Sequence, residues 1–139
     1  MGAVTDEDAL AYGSGRMEYF SHDSRAHDDF KCRMLMVKGG LEAYGRWWLL
    51  CEALADMKGH RLPYSSDDDR EVAAMLLMCG VDACDEFLGW CAGLDLIDPE
   101  LFADGVIVSS RMVRNSIEFG RKRAAGAMGG KSRKAKQIA

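Results

Sequence analysis

Along most of the chain apolar residues recur with a period near 3.6, while two-residue alternation is brief, so helices dominate the expected structure. Residues 28–38, DDFKCRMLMVK, open the helical part. Asp28 is placed to cap, Asp29 favours the positive helix end, and Phe30, Met34 and Val37 share a face. Gly39 and Gly40 stop this helix. Residues 41–58 carry the strongest pattern, with Tyr44, Trp47, Trp48, Cys51, Leu54 and Ala55 on one broad apolar face and Glu42, Arg46 and Asp56 away from it. The next helix spans residues 65–80. Ser66 and Asp69 have capping-box spacing, Val72, Met75, Leu76 and Cys79 face inward, and Gly80 ends it. Residues 81–94 follow, capped by Asp82, with Cys84, Phe87, Leu88 and Cys91 as the buried stripe. The short link around Gly80 gives these two helices helix-turn-helix spacing.

The strand signals are short. Residues 59–64 turn the chain and hold a brief edge strand limited by Pro63. In residues 95–110, Leu96 and Ile97 on one side and residues 106–108 on the other predict a hairpin. Its tip carries a single helical turn opened by Pro99, and a turn at Asp104 and Gly105. A last helix starts near Ser110 and fades into a Gly- and Lys-rich tail that reads as disordered. The predicted fold is mainly α with a small β-hairpin (α+β): a winged helix-turn-helix with extra N-terminal and C-terminal helices. Residues 1–16 lack an apolar stripe and read as a flexible leader, residues 17–120 as the domain, and residues 121–139 as a basic tail or linker.

Composition adds compartment and charge. The 139 residues are 48% hydrophobic and 29% charged, as expected for one globular domain. No apolar run approaches the roughly 20 residues that span a bilayer, and the N-terminus lacks a signal-peptide pattern, so a cytoplasmic protein with no membrane partner is expected. Five cysteines without a CxxC pair read as small buried hydrophobes in a reducing compartment. A zinc site from Cys79, Cys84, Cys91 and His60 is the alternative, but its spacing fits no common ligand pattern, and no metal or cofactor is expected. The net charge of −4 is unevenly spread: residues 1–110 hold 9 Lys/Arg and 21 Asp/Glu, and residues 111–139 hold 9 Lys/Arg and the single acid Glu118. A basic end on an acidic body suits polyanions. The candidate DNA contacts are Arg111, Arg114, Arg121, Lys122, Arg123, Lys131, Arg133, Lys134 and Lys136, binding nonspecifically through phosphates. The bland alternative is a solvated linker.

Other candidate chemistry has simpler explanations. The aspartates at 67–69 resemble a metal cluster, yet helix capping accounts for them. Trp47 and Trp48 suggest a base-stacking platform, yet both lie on the apolar stripe and read as core. His22 and Asp23 would make an acid–base pair only with a nucleophile or phosphate loop, and the sequence carries neither motif, so the chain reads as non-enzymatic. The second helix of the helix-turn-helix carries Asp82, Asp85 and Glu86 and no Lys or Arg, which disfavours groove reading.

Four stretches resemble a known family. YFSHD (residues 19–23) opens the resemblance; GLEAYGRWW (residues 40–48) follows, and LFADGVIVSSRM (101–112) with RKRAAGAMGGK (121–131) completes it. Together they resemble the N-terminal domain of phage and prophage replication proteins, the DnaD-like replisome organisers and related phage proteins. The resemblance implies a winged-helix fold and a role in DNA replication initiation. It also implies self-assembly and contacts with replisome proteins such as a helicase loader, the chain being a short relative or an N-terminal domain. Under it Tyr19, Phe20, His22, Asp23, Tyr44, Gly45 and Trp48 are fold-signature residues, with Tyr19 and Phe20 in the core and His22 and Asp23 fixing a turn.

Overall fold

A computed structural model describes the backbone of residues 5–138 and the side chains of all these except 10–12 and 128–138. Six helices and one two-stranded sheet follow in the order α1 (Asp6–Gly13), α2 (Phe30–Asp56), β1 (Leu62–Pro63), α3 (Asp67–Leu76), α4 (Val81–Gly93), α5 (Pro99–Ala103), β2 (Val106–Ile107) and α6 (Ser110–Ile138). Short 3-10 turns at Ala26–Asp28 and Lys58–His60 flank α2. No helix among the described residues is long and apolar enough to cross a membrane.

The two helices expected at 28–38 and 41–58 are both present, as the two halves of α2 on either side of Gly40. Asp29, not Asp28, caps α2, its carboxylate accepting from the Lys31 and Cys32 amides at 3.1 and 3.2 Å. Gly40 interrupts the helix as expected, at φ 71° and ψ −166°, a non-helical conformation that side-chain-bearing residues rarely adopt, and the chain turns there into the second half of α2. Before the kink the inward residues are Cys32 and Leu35, and the expected Phe30 and Val37 stand in solvent. Beyond it the expected face holds: Trp47, Cys51, Leu54 and Ala55 are buried, joined by Leu50.

Ser66 and Asp69 form a reciprocal capping box at the start of α3. The Asp69 carboxyl is held below its ordinary range, first by the hydrogen bond from the Ser65 amide and also by that from the Ser66 amide. The inward face of α3 is, however, Ala73, Ala74 and Leu77, while Val72, Met75 and Leu76 turn outward. Leu77, Met78 (φ 57°), Cys79 and Gly80 make the turn into α4. Gly80, not Asp82, occupies the α4 cap position, and Cys84, Phe87, Leu88 and Cys91 are buried as expected.

The hairpin expected between residues 96–97 and 106–108 does not form. The sheet is instead β1 paired antiparallel with β2, Leu62 opposite Ile107 and Pro63 opposite Val106. Leu96 and Ile97 donate to the Cys91 carbonyl and so continue the end of α4. Asp98 caps α5 through the Glu100 and Leu101 amides, with Pro99 in the first turn. The core is where these pieces meet: Trp47, Leu50 and Leu54 from α2, Phe87 and Leu88 from α4, and Ile107 and Met112 from the sheet and α6. Each such side chain contributes about 1.5–3 kcal/mol through burial.

Within the segment read as a flexible leader, residues 6–13 form the helix α1. Thr5 caps α1, its hydroxyl accepting from the Asp8 amide at 3.1 Å, and α1 lies along α6. The helices touch backbone to backbone, since a Cβ on Gly13 would overlap the Ser116 carbonyl and one on Gly120 the Ala9 carbonyl. The chain after α1 is tied to the C-terminal end of α2. The Met17 amide donates to the Ala55 carbonyl at 2.8 Å, and the buried His60 ring sets Nδ1 2.8 Å from the Leu54 carbonyl and Nε2 2.6 Å from the Gly13 carbonyl.

Candidate nucleic-acid interface

α6 positions the candidate DNA contacts. Its N-terminus is capped by Ser109, whose hydroxyl accepts from the Met112 amide at 3.3 Å. Met112, Ser116, Phe119, Gly120 and Ala124 form the buried side of the helix. The expected disordered tail is a continuation of the same helix to Ile138.

The cations divide into two groups. Arg111, Arg121 and Arg123 are engaged within the chain. The Arg111 guanidinium lies 5.3 Å from the Trp48 ring centroid and donates to the Ser21 carbonyl at 3.2 Å. Arg121 pairs with Asp6 of α1. Arg123 pairs with Glu18 at 3.5 Å and sits 4.6 Å from the Phe119 ring centroid. The acids that answer these two cations thus come from the N-terminal segment, more than a hundred residues away in sequence. The second group is Arg114 and Lys122, both exposed. Arg114 lines a cleft of about 670 Å³ whose walls mix Lys31, Asp95 and Glu118. Lys131, Arg133, Lys134 and Lys136 lie outside the residues whose side chains are described.

The fold-signature residues gather at one place. His22 stacks on Trp48 with ring centroids 3.6 Å apart, Phe20 stacks alongside at 6.2 Å, and Tyr44 meets the same ring edge-on. Trp48 is therefore the half-buried centre of a cluster, with the fully buried Trp47 behind it. Asp23 fixes the following turn, accepting from the Arg25 amide at 2.8 Å. One expectation fails here: Tyr19, expected in the core, is 61% exposed, resting edge-on against Phe119. Gly45 is an exposed helix position. Phe20 is half-buried.

The surface of α4 is acidic. Asp82 and Glu86 of α4 are exposed, and Asp85 is half-buried and accepts a hydrogen bond from the Tyr64 hydroxyl. Burial, then that hydrogen bond, pushes the Tyr64 phenol above its ordinary range. Neither this pair, nor the His60 bridge, nor the Arg46 Nε donating to the Leu77 carbonyl at 3.1 Å, is signalled by any local motif, because each joins elements distant in sequence. The cysteines sit in apolar surroundings: burial pushes the thiols of Cys32 and Cys84 up to about 11 and that of Cys51 up to about 12, and raises Cys91 as well. Cys79 is half-buried. Among the described residues no group of three or more His, Cys, Asp or Glu converges as a metal site.

None of the curated proteins matches this chain. None of the solved structures matches it either. A family model does: that of the Lin1244/Lin1753-like N-terminal family runs over residues 19–113, from the aromatic–His–Asp motif to the first turn of α6, and the chain belongs to that family.

Proposed function

We propose that the chain is a non-enzymatic accessory module of phage-type DNA replication, akin to the DnaD-like replisome organisers, that holds DNA nonspecifically through the basic end of α6. Its scaffold is a reduced winged helix. In this reading α3 and α4 serve as the helix-turn-helix, and the antiparallel pair of β1 and β2 is its small sheet. The body, which is acidic, makes protein contacts, with replisome proteins such as a helicase loader as the partner class. The observation that carries the reading is the continuity of α6: one helix leads from the core to Lys131, Arg133, Lys134 and Lys136, a stretch without a single acid. Phosphates are attracted there and repelled by the exposed Asp82 and Glu86 of α4.

A second reading has its own support. Arg121 and Arg123 are neutralised within the chain, which leaves fewer cations for DNA and suits a pure protein-interaction domain whose basic end is a linker. Anisotropy titrations of a labelled random-sequence duplex separate the two. The full chain binds weakly at low salt under the first reading, and changing Lys131, Arg133, Lys134 and Lys136 to Gln abolishes binding. No binding by the full chain leaves the linker reading, and binding that survives these changes moves the DNA contact from the end of α6 to another surface of the domain.

A further inference from the structure

α3 has two apolar faces. Its small residues Ala73 and Ala74 pack inward with Leu77, while Val72, Met75 and Leu76 point outward, 48%, 74% and 37% exposed, followed by Met78 at 78%. A helix that buries alanines and leaves its longer apolar side chains in water presents an interaction surface. Leu76 joins this stripe to a groove of about 680 Å³ beside the C-terminal half of α2, with Phe20 and Leu49 in its floor and Glu18, Glu52 and Asp56 at its rim. Asp68 and Glu71 stand one turn before Val72 and Met75 on the same side of α3, both exposed. Arg16, the basic residue lining the groove, is paired with Asp56. The whole surface is apolar with an acidic margin.

Its complement is a basic helix with apolar positions. The last stretch of α6 has that composition: Met128, Ala135 and Ile138 recur at spacings of seven and three residues among Lys131, Arg133, Lys134 and Lys136. The helix is continuous, so its end lies about 20 Å beyond Ala124 at 1.5 Å per residue, in reach of a neighbouring molecule. Within one chain Arg123 already pairs with Glu18 at the groove's edge. We infer that the α3 stripe and its adjoining groove receive the basic end of α6 from a second copy of this chain. The contact joins different surfaces of the two copies, so it leaves one face of each kind unfilled and assembly continues beyond a dimer. This goes beyond the DNA reading and does not depend on it.

Sedimentation velocity on the full chain tests the inference. Oligomers that grow with concentration are expected at about 50 mM salt and their dissociation at about 500 mM, where screening is short-ranged. A receiving-face variant, Glu52→Lys with Met75→Lys, changes two exposed residues and is expected to be monomeric. A donor variant, Lys131→Gln, Arg133→Gln and Lys134→Gln, is also expected to be monomeric. An equimolar mixture of the two restores one interface and yields a heterodimer that grows no further. A full chain that stays monomeric at low salt, a receiving-face variant that associates normally, or a mixture that stays monomeric overturns the inference. The receiving-face variant keeps its DNA binding, so failure here and failure of the DNA reading are separable.

Discussion

Trp47 and Trp48 are adjacent in sequence and therefore about 100° apart around α2, so one core cannot take both fully. Trp47 is 1% exposed, and its replacement by Ala is expected to cost about 3–5 kcal/mol in urea unfolding. Trp48 lies half-buried between His22 and Arg111, and its replacement is expected to cost less, about 1–3 kcal/mol, without changing DNA affinity. A Trp48 variant that stays folded but loses DNA would make the ring a stacking platform after all. The apolar stripe was legible in the sequence; the ranking within it was not, because it depends on which chain segments cover each ring. The cysteines give a second residue-scale test. Burial holds the neutral thiol, raising Cys32 and Cys51 to about 11 and 12 from an ordinary 9.0. A thiol raised on folding leaves stability intact below the unfolded value and removes it as pH climbs through the folded one. The melting temperature should be level from pH 7 to about 8.5 and fall between about pH 9 and 12. At pH 8 iodoacetamide should modify Cys79 before Cys51 or Cys91; uniform reactivity would mean the interior is open.

Helices were legible wherever one face alone was apolar, as in α4, whose buried stripe is the expected one. They were misread where two faces qualified. On α3, Val72, Met75 and Leu76 form the larger apolar stripe, yet close packing against α4 selects the small Ala73 and Ala74. The hairpin was misplaced because two-residue strands carry almost no alternation to read, and pairing was decided by where β1 arrives. α1 was missed for a related reason: it packs on α6 through small residues and backbone, leaving no stripe of large apolar side chains to detect. That packing is fragile to a single methyl group. Gly120→Ala places a Cβ against the Ala9 carbonyl, which α1 can escape only by moving away. A loss of about 1–3 kcal/mol is expected, together with faster proteolysis within residues 1–16. Unchanged stability and protection would mean that α1 does not dock. The same docking predicts that removing residues 1–16 lowers the melting temperature, and it takes away Asp6, the ion-pair partner of Arg121.

At the scale of the whole molecule, charge is sorted along the fold. Residues 1–110 are strongly acidic and residues 111–139 strongly basic, but the acids of the N-terminal segment fold back onto the first part of α6. Counting all nine cations of the C-terminal segment as DNA contacts therefore overstates the interface. Arg111 serves the Trp48 cluster, and Arg121 and Arg123 are paired with Asp6 and Glu18. If the four cations of residues 131–136 meet phosphates on duplex DNA, the slope of log K against log salt should be near −3.6, from roughly −0.9 per contact. Asp6→Asn and Glu18→Gln should then act at a distance from that stretch. By removing the carboxylates that answer Arg121 and Arg123 they lessen the negative charge beside those two cations, and the slope should steepen from about −3.6 toward at most about −5.4 on the same scale. Duplexes of different sequence should give the same slopes, because phosphate contacts carry no base information. A slope that ignores the two acids would mean that Arg121 and Arg123 face away from the DNA, and that the basic end of α6 works alone.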